Sequence, residues 1–131
     1  MFIRFITEFR NDENEIQTGV FHASAFLCRS EIIYDYDKKL LMEIGSWFSY
    51  NLDKPDKFSK SKGKNVPKVS FSWFKSTAIN HLKRMYEMKE ILEKYDIIVT
   101  IIKRENPGYI VYEDDYQIST LPHGKDKNLV K

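Results

Sequence analysis

Apolar residues fall into three different rhythms along this chain. Residues 2–9 mix β-branched and aromatic side chains, with Ile3, Phe5 and Phe9 on one parity and Phe2 and Ile6 on the other. That predicts a strand covered on much of both faces. The acidic stretch 11–15 ends it. From Thr18 the rhythm becomes helical, as Val20, Phe21, Ala23, Phe26 and Leu27 form a broad stripe that closes near Arg29 or Ser30. A second helix is expected after Asp35 or Asp37, either of which can accept from first-turn amides. Its buried face would carry Leu40, Leu41, Ile44, Trp47 and Phe48.

The stretch 53–68 breaks the pattern. It is lysine-rich, with Pro55 and Pro67 near its ends and Gly63 inside, and proline there stops either neighbouring helix from extending. A third helix is then predicted over 72–95, capped by Ser70 or Ser72. Its stripe would be Phe74, Ala78, Leu82, Met85, Ile91, Leu92 and Tyr95. Residues 97–102 are nearly all apolar and β-branched, the mark of a central strand. Asn106-Pro107-Gly108 signals a turn, with strands expected at 109–112 and 116–120, or one long strand bent at Asp114-Asp115.

Strand, three helices, then two or three strands predicts an α+β, two-layer domain. Its sheet would be mostly antiparallel, with three to four strands covered on one face by three helices. The domain is placed at 1–122, with a basic loop at 53–68, and 123–131 reads as a flexible polar tail. The final strand is a candidate for edge-to-edge pairing with a second copy, so a homodimer is left open.

Composition sharpens this picture in two ways. At 42% apolar with 15% aromatic, the chain of 131 residues can bury a core and is too apolar for disorder. The single cysteine, Cys28, excludes an internal disulfide and a cysteine zinc cluster. Arg4 and Glu8 interrupt the apolar start, and the run 97–102 is too short to span a bilayer, so a cytoplasmic protein with no membrane role is expected.

Charge is where the sequence speaks about partners. Between Lys57 and Tyr86 stand eight basic residues and no acidic one, which leaves the other 101 residues at −6 in a chain of net charge +2. Lys57, Lys60, Lys62, Lys64 and Lys68 lie in the loop, and Lys75, Lys83 and Arg84 follow. Small residues alternate with the loop lysines, a composition able to follow a phosphate backbone, and Phe58, Phe71 and Trp73 are candidates for stacking. His81 is read as continuing this surface. Lysine outnumbers arginine here, so nucleic-acid contact would be to the backbone and not sequence-specific. An acidic protein surface is the other partner this field suits. A solvated loop that merely keeps the chain soluble is the bland reading of the same residues.

The opposite charge gathers at Glu113, Asp114 and Asp115, flanked by Tyr109, Tyr112 and Tyr116. This hairpin is an alternative partner-binding surface, for an inhibitor or regulatory module. Three carboxylates hold a divalent ion only if the turn aims them inward, so no metal is expected, and no cofactor. His22, His81 and His123 show no metal-ligand spacing, and 61–64 lacks the spacing of a phosphate-binding loop. Catalysis is left undecided, leaning against. An enzyme on a nucleotide or phosphorylated substrate would need His81 to meet a carboxylate such as Glu8 or Glu43.

The phrases Ile6-Thr7-Glu8-Phe9-Arg10, Ser72-Trp73-Phe74-Lys75 and Pro107-Gly108-Tyr109-Ile110-Val111-Tyr112-Glu113-Asp114 resemble parts of small bacterial hypothetical proteins with no assigned role. The resemblance implies a bacterial or phage setting and carries no catalytic residue, cofactor or function. The reading is therefore a small binding protein that docks to an anionic macromolecule through its lysine-rich loop.

Overall fold

A computed structural model describes residues 1–10, 16–54 and 71–121. In chain order the elements are β1 (Phe2–Arg10), β2 (Ile16–Gly19), α1 (Val20–Arg29), α2 (Asp35–Asn51), β3 (Phe71–Lys75), α3 (Ile79–Lys94), β4 (Val99–Arg104), β5 (Ile110–Glu113) and β6 (Gln117–Thr120). The fold is α+β, as the element order predicts. Among the described residues six strands form one sheet, rather than three or four, and every pairing is antiparallel.

β1 is the hub. β4 runs along one of its edges, from Phe2 opposite Arg104 to Thr7 opposite Val99. β3 and β2 share the other edge, β3 at Phe2 and Ile3, β2 at Ile6, Phe9 and Arg10. The sheet continues through β6, paired with β3, to β5. All three helices pack on one face, where Ile3, Phe5, Phe74 and Val99 meet Val20, Leu27, Leu41, Ile44, Phe48, Met88 and Leu92 in the main core. The opposite face carries a smaller cluster of Phe71, Trp73 and Ile118, with Phe2, Ile102 and Ile110 against it.

Three expectations are corrected. The predicted helix over 72–95 is a strand followed by a helix: Phe71 and Trp73 point to one face of the sheet, with exposed Ser72 between them, and Phe74 points to the other and joins the main core. The helix begins only at Ile79, with Ala78 as its cap and no capping side chain. The run 97–102 is not central, since among the described residues β4 pairs only with β1. Its apolar residues need cover on two faces, which a lateral edge position also supplies. The last strand is interior, with β3 on one side and β5 on the other, so it offers no edge.

The helix α3 ends in a Schellman motif. Ile97 N–H returns to the Leu92 carbonyl at 3.0 Å and Asp96 N–H to the Glu93 carbonyl at 3.1 Å. This turn requires a left-handed residue, and Asp96 takes it at φ 66°. The reversal drops the chain directly into β4.

Candidate functional site: the anchors of the basic segment

Lys57, Phe58, Lys60, Lys62, Lys64 and Lys68 lie outside the described residues. The positions where their segment leaves and re-enters the fold are described, and both are held. At the leaving end, the buried His81 ring makes a 2.7 Å hydrogen bond through Nε2 to the Asn51 carbonyl, the last residue of α2. Two residues on, the side-chain amide of Gln117 donates to the Asp53 carbonyl at 2.5 Å. At the re-entry end, Phe71 is buried and paired with Thr120. Asp53 and Phe71, the held residues nearest the two ends of this stretch, are thus both fastened to the β6 strand.

Phe71 is buried and offers no stacking surface, and neither does Trp73. Its side chain is fully buried in the second cluster, and its indole N–H donates to Thr120 Oγ1 at 3.1 Å. Lys75 is half-buried and ion-paired with Glu113 at 2.7 Å. Lys83 is exposed on α3. Arg84 is half-buried, 3.3 Å from Glu87, with its guanidinium 5.6 Å from the Trp47 ring centre. The cationic stretch therefore divides into residues already engaged, Lys75 and Arg84, and Lys83, which faces water.

His81 is not part of a positive surface either. It stacks on Tyr116 at 4.3 Å between ring centres and meets Trp47 edge-on at 4.8 Å. Its described neighbours are Asn51, Trp47, Phe48, Phe74 and Tyr116, with no carboxylate among them. Glu8 is exposed, and Glu43 lies on the outer flank of α2 beside Lys39 and Met42. The acid–base pair that a phosphoryl or nucleotide enzyme would draw from these residues is not assembled.

The acidic hairpin is organised mainly from within. The Asp114 carboxylate accepts from the backbone amides of Tyr116 and Gln117 at 2.8 and 3.0 Å, from the Tyr112 phenol at 2.9 Å, and from the Gln117 side chain at 3.0 Å. Burial raises its proton affinity, but these four bonds together outweigh that and hold the carboxyl below its usual range. Glu113 is paired with Lys75, so Asp115 is the exposed carboxylate of the triplet that enters no such arrangement. Tyr109 stays 61% exposed, and Tyr116 covers His81.

Between this hairpin and the end of α2 lies an open cleft of about 380 Å³, lined by Tyr50, Asn51, Asp53, Asp114, Asp115 and Tyr116. Its three carboxylates, Asp53, Asp114 and Asp115, make it unfavourable to anions. Among the described residues no group of three or more His, Cys, Asp or Glu side chains is placed to hold a metal ion. No described helix is long and apolar enough to cross a membrane. The Cys28 thiol is half-buried, and burial pushes its pKa up, which makes the thiolate scarcer.

Sequence reading missed two residues that shape this frame. The sequence offers Asp35 or Asp37 as the cap of α2, yet the cap position is Tyr34 and Asp37 is buried against α3. The signal was present: Asp37 stands on the stripe 37, 41, 44, 48, the one charged position on a buried face. Gln117, which ties Asp53 to the hairpin, gave no such signal, because a single amide at the start of a strand is unremarkable. Comparison with protein-family models, with curated proteins and with solved structures finds no match.

Proposed function

We propose that this protein docks to an anionic macromolecule, with nucleic-acid backbone as the favoured partner, through the lysines of 57–68. One observation carries the reading: eight basic and no acidic residues between Lys57 and Tyr86, against −6 for the remainder. A field so divided concentrates anions at one segment and repels them elsewhere. The placement of Asp53 and Phe71 on either side of the lysines supports it, because fixed flanks leave less freedom to lose on binding.

The described part of the protein supplies the frame in this account, and the lysines supply the contact. Lys57, Lys60, Lys62, Lys64 and Lys68 neutralise phosphates and displace condensed counterions. Lys83 extends the positive potential onto α3. Phe58 supplies the stacking contact, Trp73 having been drawn into the core. The tyrosine-rich hairpin is the weaker candidate surface, since Asp114 and Glu113 are spent inside the fold.

Replacing Lys60, Lys62 and Lys64 together by Glu tests the reading. Loss of binding to single-stranded or double-stranded DNA or RNA, with an unchanged melting temperature, is expected. Retained affinity in that variant would overturn it.

A further inference from the structure

Among the described residues the strand β4 is paired along one of its two edges. Its six residues pair with β1 in unbroken register. Among the described residues no strand lies along its other side. The remaining outer strands are poor templates: β2 and β5 have four residues each, and the β5 pairing shifts register between Ile110 and Tyr112. Such shortness and irregularity are how native sheets blunt their edges. β4 has neither device, and Val99, Thr100, Ile101 and Ile102 are four consecutive β-branched residues. Just before them, Ile98 is 65% exposed.

Val99 shows which backbone groups face outward. Its N–H is taken by the Glu93 carboxylate of α3 at 3.3 Å, so it does not donate to β1. In an antiparallel ladder successive residues alternate sides. The N–H and C=O of Ile101 and Lys103 therefore point away from β1, and those of Thr100, Ile102 and Arg104 point toward it.

We propose that this edge is the seam of a symmetric dimer, β4 pairing antiparallel with β4 of a second copy about a two-fold axis at Ile102. The axis at Ile102 sets Ile101 and Lys103 of one copy opposite Lys103 and Ile101 of the other, so that each pair exchanges N–H and C=O in both directions. Val99, whose amide Glu93 already caps, is not called on. An axis at Ile101 instead sets Val99 against Lys103 and competes with that cap. Under the Ile102 axis Arg104 faces Thr100 and Lys103 faces Ile101, so no cation lies opposite another. Ile102 meets its own counterpart in the close, non-hydrogen-bonded position, with Cα atoms about 4.5 Å apart. It does so on the face that carries Phe71, Trp73 and Ile118, so the two smaller clusters become one apolar layer. A second copy is the occupant because the strand is self-complementary under this operation, which is what an isologous interface demands. The dimer stands on edge geometry and is independent of what the lysines bind.

The register makes the proposal testable. With Cys28→Ser removing the native thiol, Ile102→Cys places two thiols at the axis, whereas Thr100→Cys places them roughly 14 Å apart. Mild oxidation of the full chain is expected to cross-link the first variant and leave the second monomeric. Sedimentation equilibrium of the unaltered chain is expected to give twice 15.6 kDa. Lys103→Pro, which removes one outward donor and no bond to β1, is expected to return a folded monomer. A monomer mass for the unaltered chain from micromolar to millimolar concentration overturns the proposal. So does equal cross-linking at positions 100 and 102, or a Lys103→Pro dimer.

Discussion

Tyr95, at the end of α3, donates its phenol to the buried carboxylate of Asp37 in the first turn of α2. The Lys94 ammonium adds two hydrogen bonds to the same carboxylate at 3.0 and 3.1 Å, and the Tyr34 amide donates back to the phenol oxygen at 3.0 Å. One polar knot therefore joins two helices and the turn between α1 and α2. The Tyr95 bond chiefly, with the Lys94 bonds and charge, holds Asp37 below the usual carboxylate range against the opposing effect of burial. Breaking such a pair from one side leaves a buried group uncompensated.

Asp37→Asn should lower the melting temperature at neutral pH by about 3–6 °C, the scale of one lost buried partner in a domain of this size. The pH dependence has a fixed sign. A carboxylate with a depressed folded pKa contributes stability that is present above its unfolded value of about 4 and is lost as pH falls through the folded value. Asp37, Glu93 and Asp114 all shift in this direction. Thermal melts between pH 7 and pH 2 should show the unaltered chain losing stability below about pH 4. Asp37→Asn should lose less over the same interval; an equal loss would mean that the knot is not ionic.

Asp96 is held at φ 66°, where an L side chain is strained and glycine is not. The side chain makes no described contact that compensates. Asp96→Gly is therefore expected to stabilise the protein by about 0.5–1 kcal/mol in urea denaturation. A destabilised variant would show that the aspartate has a role beyond its backbone shape.

Trp73 should behave as core. Trp73→Ala is expected to cost about 3–5 kcal/mol, since it empties a fully enclosed site and strands the Thr120 hydroxyl. Trp73→Phe should be milder and leave nucleic-acid affinity within about two-fold, an outcome read by anisotropy. A large affinity loss in a stably folded Trp73→Phe would restore the ring to the binding surface.

Asp114→Ala removes the acceptor of four hydrogen bonds that shape the β5–β6 turn and reach the Gln117 amide. The expected cost is about 1–3 kcal/mol by denaturation. Because Gln117 also holds the Asp53 carbonyl, amide exchange near Asp53 should quicken in the same variant. Unchanged exchange there would separate the hairpin from the anchor of the basic segment.

Legibility in the sequence followed the physics of periodicity. β1, α2 and the last two strands were readable because each runs long enough, or lies between strong enough turns, for its period to show. The five residues of β3 were not. Phe74, Ala78 and Leu82 continue a helical spacing, and a strand this short cannot be told from a first helical turn by rhythm alone. β2, with four residues and a glycine, left no signal. Lateral position is a further quantity that the pattern does not encode: the apolar run of β4 reports two covered faces and is silent about which strands stand beside it. For the site, charge segregation was fully legible, whereas the fates of Trp73, His81 and Asp114 were set by long-range contacts that local sequence does not contain.

Fluorescence anisotropy with labelled single- and double-stranded DNA and RNA, titrated across salt, tests the central claim most directly. Micromolar binding is predicted, weakening steeply from low to physiological salt. Each lysine removed among Lys60, Lys62 and Lys64 should reduce the logarithmic salt slope by about one. Flat anisotropy at low salt with every probe would contradict the account.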